Sequence, residues 1–376
     1  MFTLDKGEIE KALFTLAVPE KWNGNLLIFA HGCRPIGIPL QADLEVEDLC
    51  YKSLINQGWI VGMTSYRREG VIVRDAIEDV ENVRLYVCGK YGEPKSTFLE
   101  GASMGGCIVT LLAENQGSFE TTGKYHGAIL NCAALLARDP VDPLYFTHKP
   151  VIPMIYLTNA DEAPQIANYV EQCETVEGAK LPAAWYINRN GHCNLNWKER
   201  EQAFCELLAW TQNPTYPMAM LKDATITIDP EISAVTWNSE GGLGKIVATD
   251  AWGDLYTNIL PRDLQKIGIV HGMSFYLQLG GSYFSDGNFS VKVKYGGNSF
   301  ISVRQGDWYC FDSADGYLVI SANGYSVKSC ANEIAGVTVG DEVKFLRPVG
   351  VGAALTGIPG QINISCLAFR DRLLCN

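Results

Sequence analysis

Little in this chain supports a metal centre, a disulfide framework or a membrane span. None of the twelve cysteines forms C-x-x-C. Several of them (Cys107, Cys132, Cys205) lie in apolar patterns, where a reduced thiol behaves as a small hydrophobe. No metal and no cofactor is therefore expected. No run of about 18 apolar residues is present, so no membrane span is expected. The opening ten residues, Met1 to Glu10, lack the basic and apolar regions of a signal peptide, which favours the cytoplasm. Positive charge is in deficit: 30 Lys and Arg face 42 Asp and Glu, a net charge of −12. Nucleic acid and anionic membrane surfaces would repel such a chain. Histidine is scarce at five residues, which narrows the search for any catalytic base. Internal repeats and low-complexity tracts are absent.

What is present is an ordinary globular composition, 47% hydrophobic and 19% charged, enough to bury a normal core. At 376 residues two domains are the natural expectation. Over 1–212, apolar runs alternate with helical patterns. The runs are 26–30, 59–63, 97–99, 127–131 and 154–157, each suited to a strand buried on both faces. The helical patterns are 43–57, 75–91, 105–116, 163–173 and 197–211. This alternation predicts an α/β fold, a doubly wound and mostly parallel sheet. Residues 213–243 break the rhythm with Asn213-Pro-Thr-Tyr-Pro217 and a Gly-rich stretch, and are read as a linker with one strand at 224–229. From 244 to 376, alternating strands such as 290–295 and 316–323 with recurrent Gly turns predict a smaller, mainly β barrel-like domain.

The most informative segment is Gly101-Ala-Ser-Met-Gly105, which fits the nucleophile-elbow pattern G-x-S-x-G. A strand-like 96–100 precedes it and a helix-like 107–114 follows, the setting this motif requires. The sharp turn strains the serine backbone and leaves no room for side chains at its flanks, hence the glycines. Ser103 is the candidate nucleophile. A serine hydroxyl needs a base, and the base needs an orienting acid. His192, in Asn190-Gly-His-Cys-Asn194 between a strand-like segment and the last helix of this half, is the candidate base. Asp161, just past the apolar strand ending near 157, is the candidate acid, with Glu162 the competing choice. The backbone N–H groups of Met104 and Cys33 are the expected oxyanion donors. His31, Arg34, Tyr66 and Tyr145 are candidate pocket residues. The connection from 131 to 151 leaves room for a short flap, with Leu144-Tyr-Phe146 as its apolar surface.

These pieces resemble the α/β-hydrolase superfamily, in particular its esterase-like members. Phe29-Ala-His-Gly32, Gly58 to Arg67, the elbow and Gly191-His-Cys-Asn194 occur in the family's order across 1–212. The resemblance implies serine esterase chemistry. The second half is similar to a different family. Asp250-Ala-Trp-Gly-Asp-Leu-Tyr-Thr-Asn-Ile259, Gly306-Asp307, 313–323 and Gly340-Asp-Glu-Val343 resemble the C-terminal barrel of the S-adenosylmethionine hydroxide adenosyltransferase and fluorinase family. There the barrel lends the adenine side of a site shared within a trimer. That family's N-terminal domain is replaced here, and its motif Asn is changed to Asp254, so adenosyl transfer is not expected. What the resemblance leaves is an assembly module forming a homo-oligomer, a wall over the Ser103 pocket, or a nucleoside-type site with Trp252 stacking and Asn258 reading a ring edge.

The expectation is a two-domain serine hydrolase that takes a small-molecule carboxylic ester. An acyltransferase on the same triad, and a non-catalytic nucleoside-binding or scaffold protein, are the alternatives.

Overall fold

In the computed structural model the apolar runs of the first half become neighbours in one sheet. The structure describes residues 1–346 apart from 35, 38, 117–122, 141–142, 214, 216–220, 228–234, 238–240, 251–252, 281–287, 297–302 and 325–330. Among these, the first half contains β1 (Phe2–Ile9), β2 (Ala12–Pro19), β3 (Asn25–Ala30), α1 (Leu49–Asn56), β4 (Ile60–Thr64), α2 (Arg74–Tyr91), β5 (Ser96–Ala102), α3 (Met104–Ala113), β6 (Gly127–Asn131), β7 (Met154–Asn159), α4 (Ala163–Glu174), β8 (Ala183–Ile187), α5 (Trp197–Gln212) and β9 (Leu221–Asp223). The sheet order is β1-β2-β4-β3-β5-β6-β7-β8-β9. The β1–β2 and β2–β4 pairs are antiparallel; the rest are parallel. This is the α/β-hydrolase arrangement.

Period-2 alternation splits each central strand between two cores. On β7, Met154 and Tyr156 join α2, α3 and α4 in one apolar cluster. Ile155 and Leu157 join α1 and α5 in the other. The helices therefore cover both faces, as buried parallel strands require. The opening hairpin was not anticipated: Ile9 pairs with Ala12 across Glu10 and Lys11, both at positive φ (53° and 73°). Two-residue hairpins demand that conformation, and it is usually supplied by Asn-Gly.

The second half contains β10 (Thr236–Trp237), β11 (Gly241–Thr249), β12 (Leu255–Thr257), α6 (Pro261–Lys266), β13 (Ser274–Gly280), β14 (Asn288–Tyr295), β15 (Trp308–Asp312), β16 (Leu318–Ala322), α7 (Ala331–Ala335) and β17 (Glu342–Leu346). Seven strands, β11-β12-β16-β15-β14-β13-β17, close on themselves because β17 also pairs with β11. Closure removes exposed edges, and the interior is filled by side chains such as Leu277, Tyr295, Ile320 and Phe345. Of the strand expected at 224–229, residues 224–227 carry no regular structure and 228–229 lie outside the described residues; within 213–243 the short strands are β9, at the edge of the first sheet, and β10.

The two halves touch beside the loop that carries His192. Asn194 Nδ2 donates to the Asp312 carbonyl at 2.8 Å, and Asn196 Nδ2 to the Ala314 carbonyl at 3.3 Å. Among the described residues no helix is long and apolar enough to cross a membrane.

Candidate active site

The elbow begins where β5 ends. Ser103 takes φ 55° and ψ −119° and α3 starts at the next residue. A non-glycine residue held there costs about 1–3 kcal/mol, so the surroundings must fix it. Ser103 N–H donates to the Asn131 carbonyl at 3.0 Å, and the Ser103 carbonyl accepts from Ala134 N–H at 2.8 Å. A Cβ on Gly101 would collide with the Gly105 carbonyl, and one on Gly105 with the Ala30 carbonyl; on Gly106 it would strike Ala133. The glycines thus let α3 pack against the ends of β3, β5 and β6.

His192 Nε2 lies 2.7 Å from Ser103 Oγ, and His192 Nδ1 lies 2.6 Å from Glu162 Oε1. The carboxylate on the histidine is therefore Glu162 and not Asp161. The reason lies in the turn after β7. Asp161 is exposed and bends to the opposite loop, where both its oxygens accept from Gly191 N–H at 3.2 and 3.3 Å. Glu162 is the residue that enters α4, and its longer side chain reaches the ring. Burial alone would lower the His192 imidazole; Cys193 and Glu162 beside it outweigh that and raise it. Although part of its surface meets solvent, partial desolvation raises the Asp161 carboxyl against the lowering effect of the Gly191 N–H.

The loop bearing His192 is held from several sides. Asn194 N–H donates to Asn159 Oδ1 at 3.0 Å, and Asn159 Nδ2 returns a bond to the Asn194 carbonyl at 3.1 Å. Arg189 ties the Asn194 carbonyl (2.8 Å) to Glu199 (2.9 Å). Asn196 and Glu199 form a capping box that starts α5. Asn159 and Asn196 carried no signal in the sequence beyond their place at an element end; Asn194 lay inside the Gly-His-Cys-Asn match without an assigned task.

The segment after β3 lies against the serine. A Cβ on Gly32 would stand 3.1 Å from Ser103 Cβ and 3.5 Å from Oγ, which brings the Gly32–Cys33 peptide to the nucleophile. Met104 is the first residue of α3, so its N–H has no partner within the helix. His31 and Tyr66 form the inner backing of this segment rather than an open pocket wall. Both are buried, their rings are 4.1 Å apart, and Tyr66 Oη donates to the His31 carbonyl at 2.8 Å. Burial, with help from Arg34, pulls the His31 imidazole down to about 4. Its Nδ1 contacts the Gly32 carbonyl at 2.6 Å, and its Nε2 finds no partner among the described residues.

Arg34 is half-buried; burial lowers its guanidinium and Asp43 opposes that. Tyr145 stands out at 67% exposure with the Arg138 guanidinium 5.7 Å from its ring. Of the expected flap surface, Leu144 and Phe146 instead pack onto the core. In the barrel, Asn258 Oδ1 accepts from Lys245 N–H at 2.7 Å, so this acceptor is spent on the barrel's own backbone. Trp252 lies outside the described residues. No cluster of three or more His, Cys, Asp or Glu that could hold a metal ion occurs among the described residues.

The architecture is thus a mostly parallel sheet in the α/β-hydrolase arrangement, followed by a closed seven-stranded β-barrel. No family model matches the chain, and no curated protein sequence matches it. Solved structures do match, over about the first 55% of the chain. An arylesterase is 17% identical, over 56% of this chain and 83% of its own, with a TM-score of 0.41. Est1E from Butyrivibrio proteoclasticus is 12% identical, over 55% and 99%, with a TM-score of 0.39. The acylaminoacyl peptidase of Pyrococcus horikoshii is 11% identical, over 57% and 42%, with a TM-score of 0.43. The chain thus spans less than half the length of that peptidase.

Proposed function

We propose that the protein is a serine hydrolase that cleaves a carboxylic ester through an acyl-enzyme on Ser103. The observation that carries this reading is the unbroken line from Ser103 Oγ through the His192 ring to Glu162, with links of 2.7 and 2.6 Å. Both distances fall within hydrogen-bond reach, the geometric condition for a nucleophile, its base and an orienting acid.

In this mechanism His192 Nε2 accepts the Ser103 proton as Oγ attacks the ester carbonyl. Glu162 accepts from Nδ1–H, which fixes the tautomer that leaves Nε2 free, and it stabilises the imidazolium once formed. The carbonyl oxygen gains charge as the tetrahedral intermediate forms. The N–H of Met104 and that of Cys33 donate to it, and both are backbone groups that need no reorganisation during the reaction. The His192 proton then passes to the leaving alkoxide, and the alcohol departs. Water enters, gives its proton to His192, and releases the acid from Ser103.

The test is labelling of the full chain with a fluorophosphonate, which phosphonylates an activated serine. The expected result is one adduct, mapped by peptide mass to Ser103, and no adduct in Ser103→Ala or His192→Ala. A folded wild type that stays unlabelled would overturn the reading. Turnover of p-nitrophenyl acyl esters of rising chain length, with added alcohols and amines as competing acceptors, then separates hydrolysis from acyl transfer.

A further inference from the structure

Two cysteines that the proposed mechanism does not use sit directly beneath the histidine. Cys132 follows β6 and is fully buried; Cys193 follows His192. The two thiols are neighbours, close enough for each to act on the other's titration. Around them, Cys132 Sγ donates to Asn159 Oδ1 at 3.0 Å, and Cys193 Sγ lies 3.6 Å from the Asn131 carbonyl oxygen. Those are the same Asn131 and Asn159 that hold Ser103 N–H and the His192 loop. Three of the eight non-glycine residues at positive φ among the described residues are Ser103 (55°), Cys132 (47°) and Cys193 (55°). Both thiols therefore stand on turns whose backbone is already strained.

The two sulfurs are not chemically equivalent. Nine cysteines are described. Burial raises Cys132 and the seven others, while Cys193 alone is lowered, to about 5, by the neighbouring Cys132 thiol and by His192 against the opposing effect of burial. A thiolate with an imidazole beside it and a second thiol in contact has the arrangement of an attacking and a resolving cysteine.

We propose that Cys132 and Cys193 are a modification site, a dithiol that a peroxide converts reversibly into a disulfide and so disengages His192 from Ser103. The Cys193 sulfur attacks one peroxide oxygen. An S–O bond forms, the O–O bond breaks, and hydroxide leaves to become water, giving the sulfenic acid. The Cys132 sulfur then attacks Cys193. The S–S bond forms, the S–O bond breaks, and water leaves with the Cys132 proton. Two thiols and one hydrogen peroxide give one disulfide and two waters; two electrons pass from sulfur to oxygen. A disulfide requires sulfurs about 2.05 Å apart, far closer than two sulfurs that are not bonded can approach. Closing that gap drags Cys193, and with it the neighbouring His192, toward Cys132. A displacement of about 1 Å at a reacting group is enough for a roughly hundredfold loss of rate.

The experiment treats the reduced full chain with hydrogen peroxide, alkylates the remaining thiols with iodoacetamide, and maps the peptides by mass. Fluorophosphonate labelling is timed in parallel. The expected result is a linked peptide pair carrying Cys132 and Cys193, labelling slowed at least tenfold, and recovery of both readouts with dithiothreitol. Cys132→Ser, which keeps a donor for Asn159, is expected to label at the wild-type rate before peroxide and to show no reversible loss after it. Two thiols that remain alkylatable, or a link to any other cysteine, would overturn the site. A correct link with unchanged labelling would overturn its control of His192. The peptide map needs no hydrolase activity, so failure of the triad reading, an unlabelled reduced wild type, is told apart from failure of this one.

Discussion

Glu162 Oε1 meets His192 Nδ1 at 2.6 Å, while Asp161, the residue before it, spends its carboxylate on Gly191 N–H. Two adjacent acids therefore have separable tasks. Glu162→Gln keeps the shape of the side chain but allows the amide to donate, which favours the tautomer with the proton on Nε2. Loss of the orienting charge in such triads lowers turnover by about 10⁴-fold, and a fall of about 10²–10⁴ in the fluorophosphonate labelling rate is expected here. Asp161→Asn leaves the histidine its partner and is expected to stay within about tenfold of wild type. Equal losses in both variants would mean that the loop, and not the Glu162 charge, governs the base.

The same contact sets a pH dependence. His192 serves as a base only when neutral. Burial lowers its imidazole, but Cys193 and Glu162 raise it above the ordinary 6.5. Activity is therefore expected to fall as pH drops through a value higher than 6.5, with the neutral base recovered above it. Removing the Glu162 charge takes away one of the raising influences, so the acid limb of Glu162→Gln is expected at lower pH than in wild type. A pH profile of kcat/KM for a p-nitrophenyl ester checks both statements. A limb below 6.5 in wild type, or one that moves upward in the variant, contradicts them.

Asn194 joins this loop to the barrel by its 2.8 Å bond to the Asp312 carbonyl. Asp312 is itself fixed, since Tyr295 Oη donates to Oδ1 at 2.8 Å and His271 Nε2 lies 2.9 Å from Oδ2. The barrel thus buttresses the loop two residues from the base. Asn194→Ala removes this bond and one to the Asn190 carbonyl at 2.9 Å, each worth about 0.5–1.5 kcal/mol. The expected outcome is a fall of about tenfold in kcat with KM nearly unchanged, because His192 and not the ester contacts is disturbed. A rise in KM alone would place Asn194 with the substrate instead.

How far the sequence led depends on how local each signal was. The central strands and five helices of the first half were legible because buried parallel strands are continuous apolar runs, and the helices between them carry their own periodicity. The elbow was legible because steric demand writes its glycines into five consecutive residues. Asp161 and Glu162 were not separable: they are adjacent, chemically alike, and divided only by how the turn after β7 points each side chain. β1 was missed because Thr3, Asp5, Lys6 and Glu8 give a polar edge strand with no apolar run, and its turn lacks the usual Asn-Gly. The bond from Asn194 to Asp312 spans 118 residues, and no local pattern encodes such a contact.

Asp254 offers a test within the barrel. Its carboxyl accepts from Ser321 Oγ at 2.5 Å. Burial and the nearby Asp250 raise it from 3.8 to about 7, with the Ser321 bond opposing. A carboxyl raised on folding binds more protons in the native than in the unfolded state between those two values. Stability is therefore lost as pH climbs from about 4 to about 7, and the full penalty persists above. Asp254→Asn removes the charge while leaving an acceptor for Ser321. At pH 8 the variant is expected to be more stable by roughly 1–3 kcal/mol. Near pH 4.5, where Asp254 is protonated in the folded chain, most of that advantage should vanish. Thermal unfolding of both proteins at the two pH values measures the difference. A Tm gain that is the same at each pH would mean that packing, not charge, separates the two side chains. A loss at pH 8 would mean that the Asp254 carboxylate is held ionised by partners that favour it.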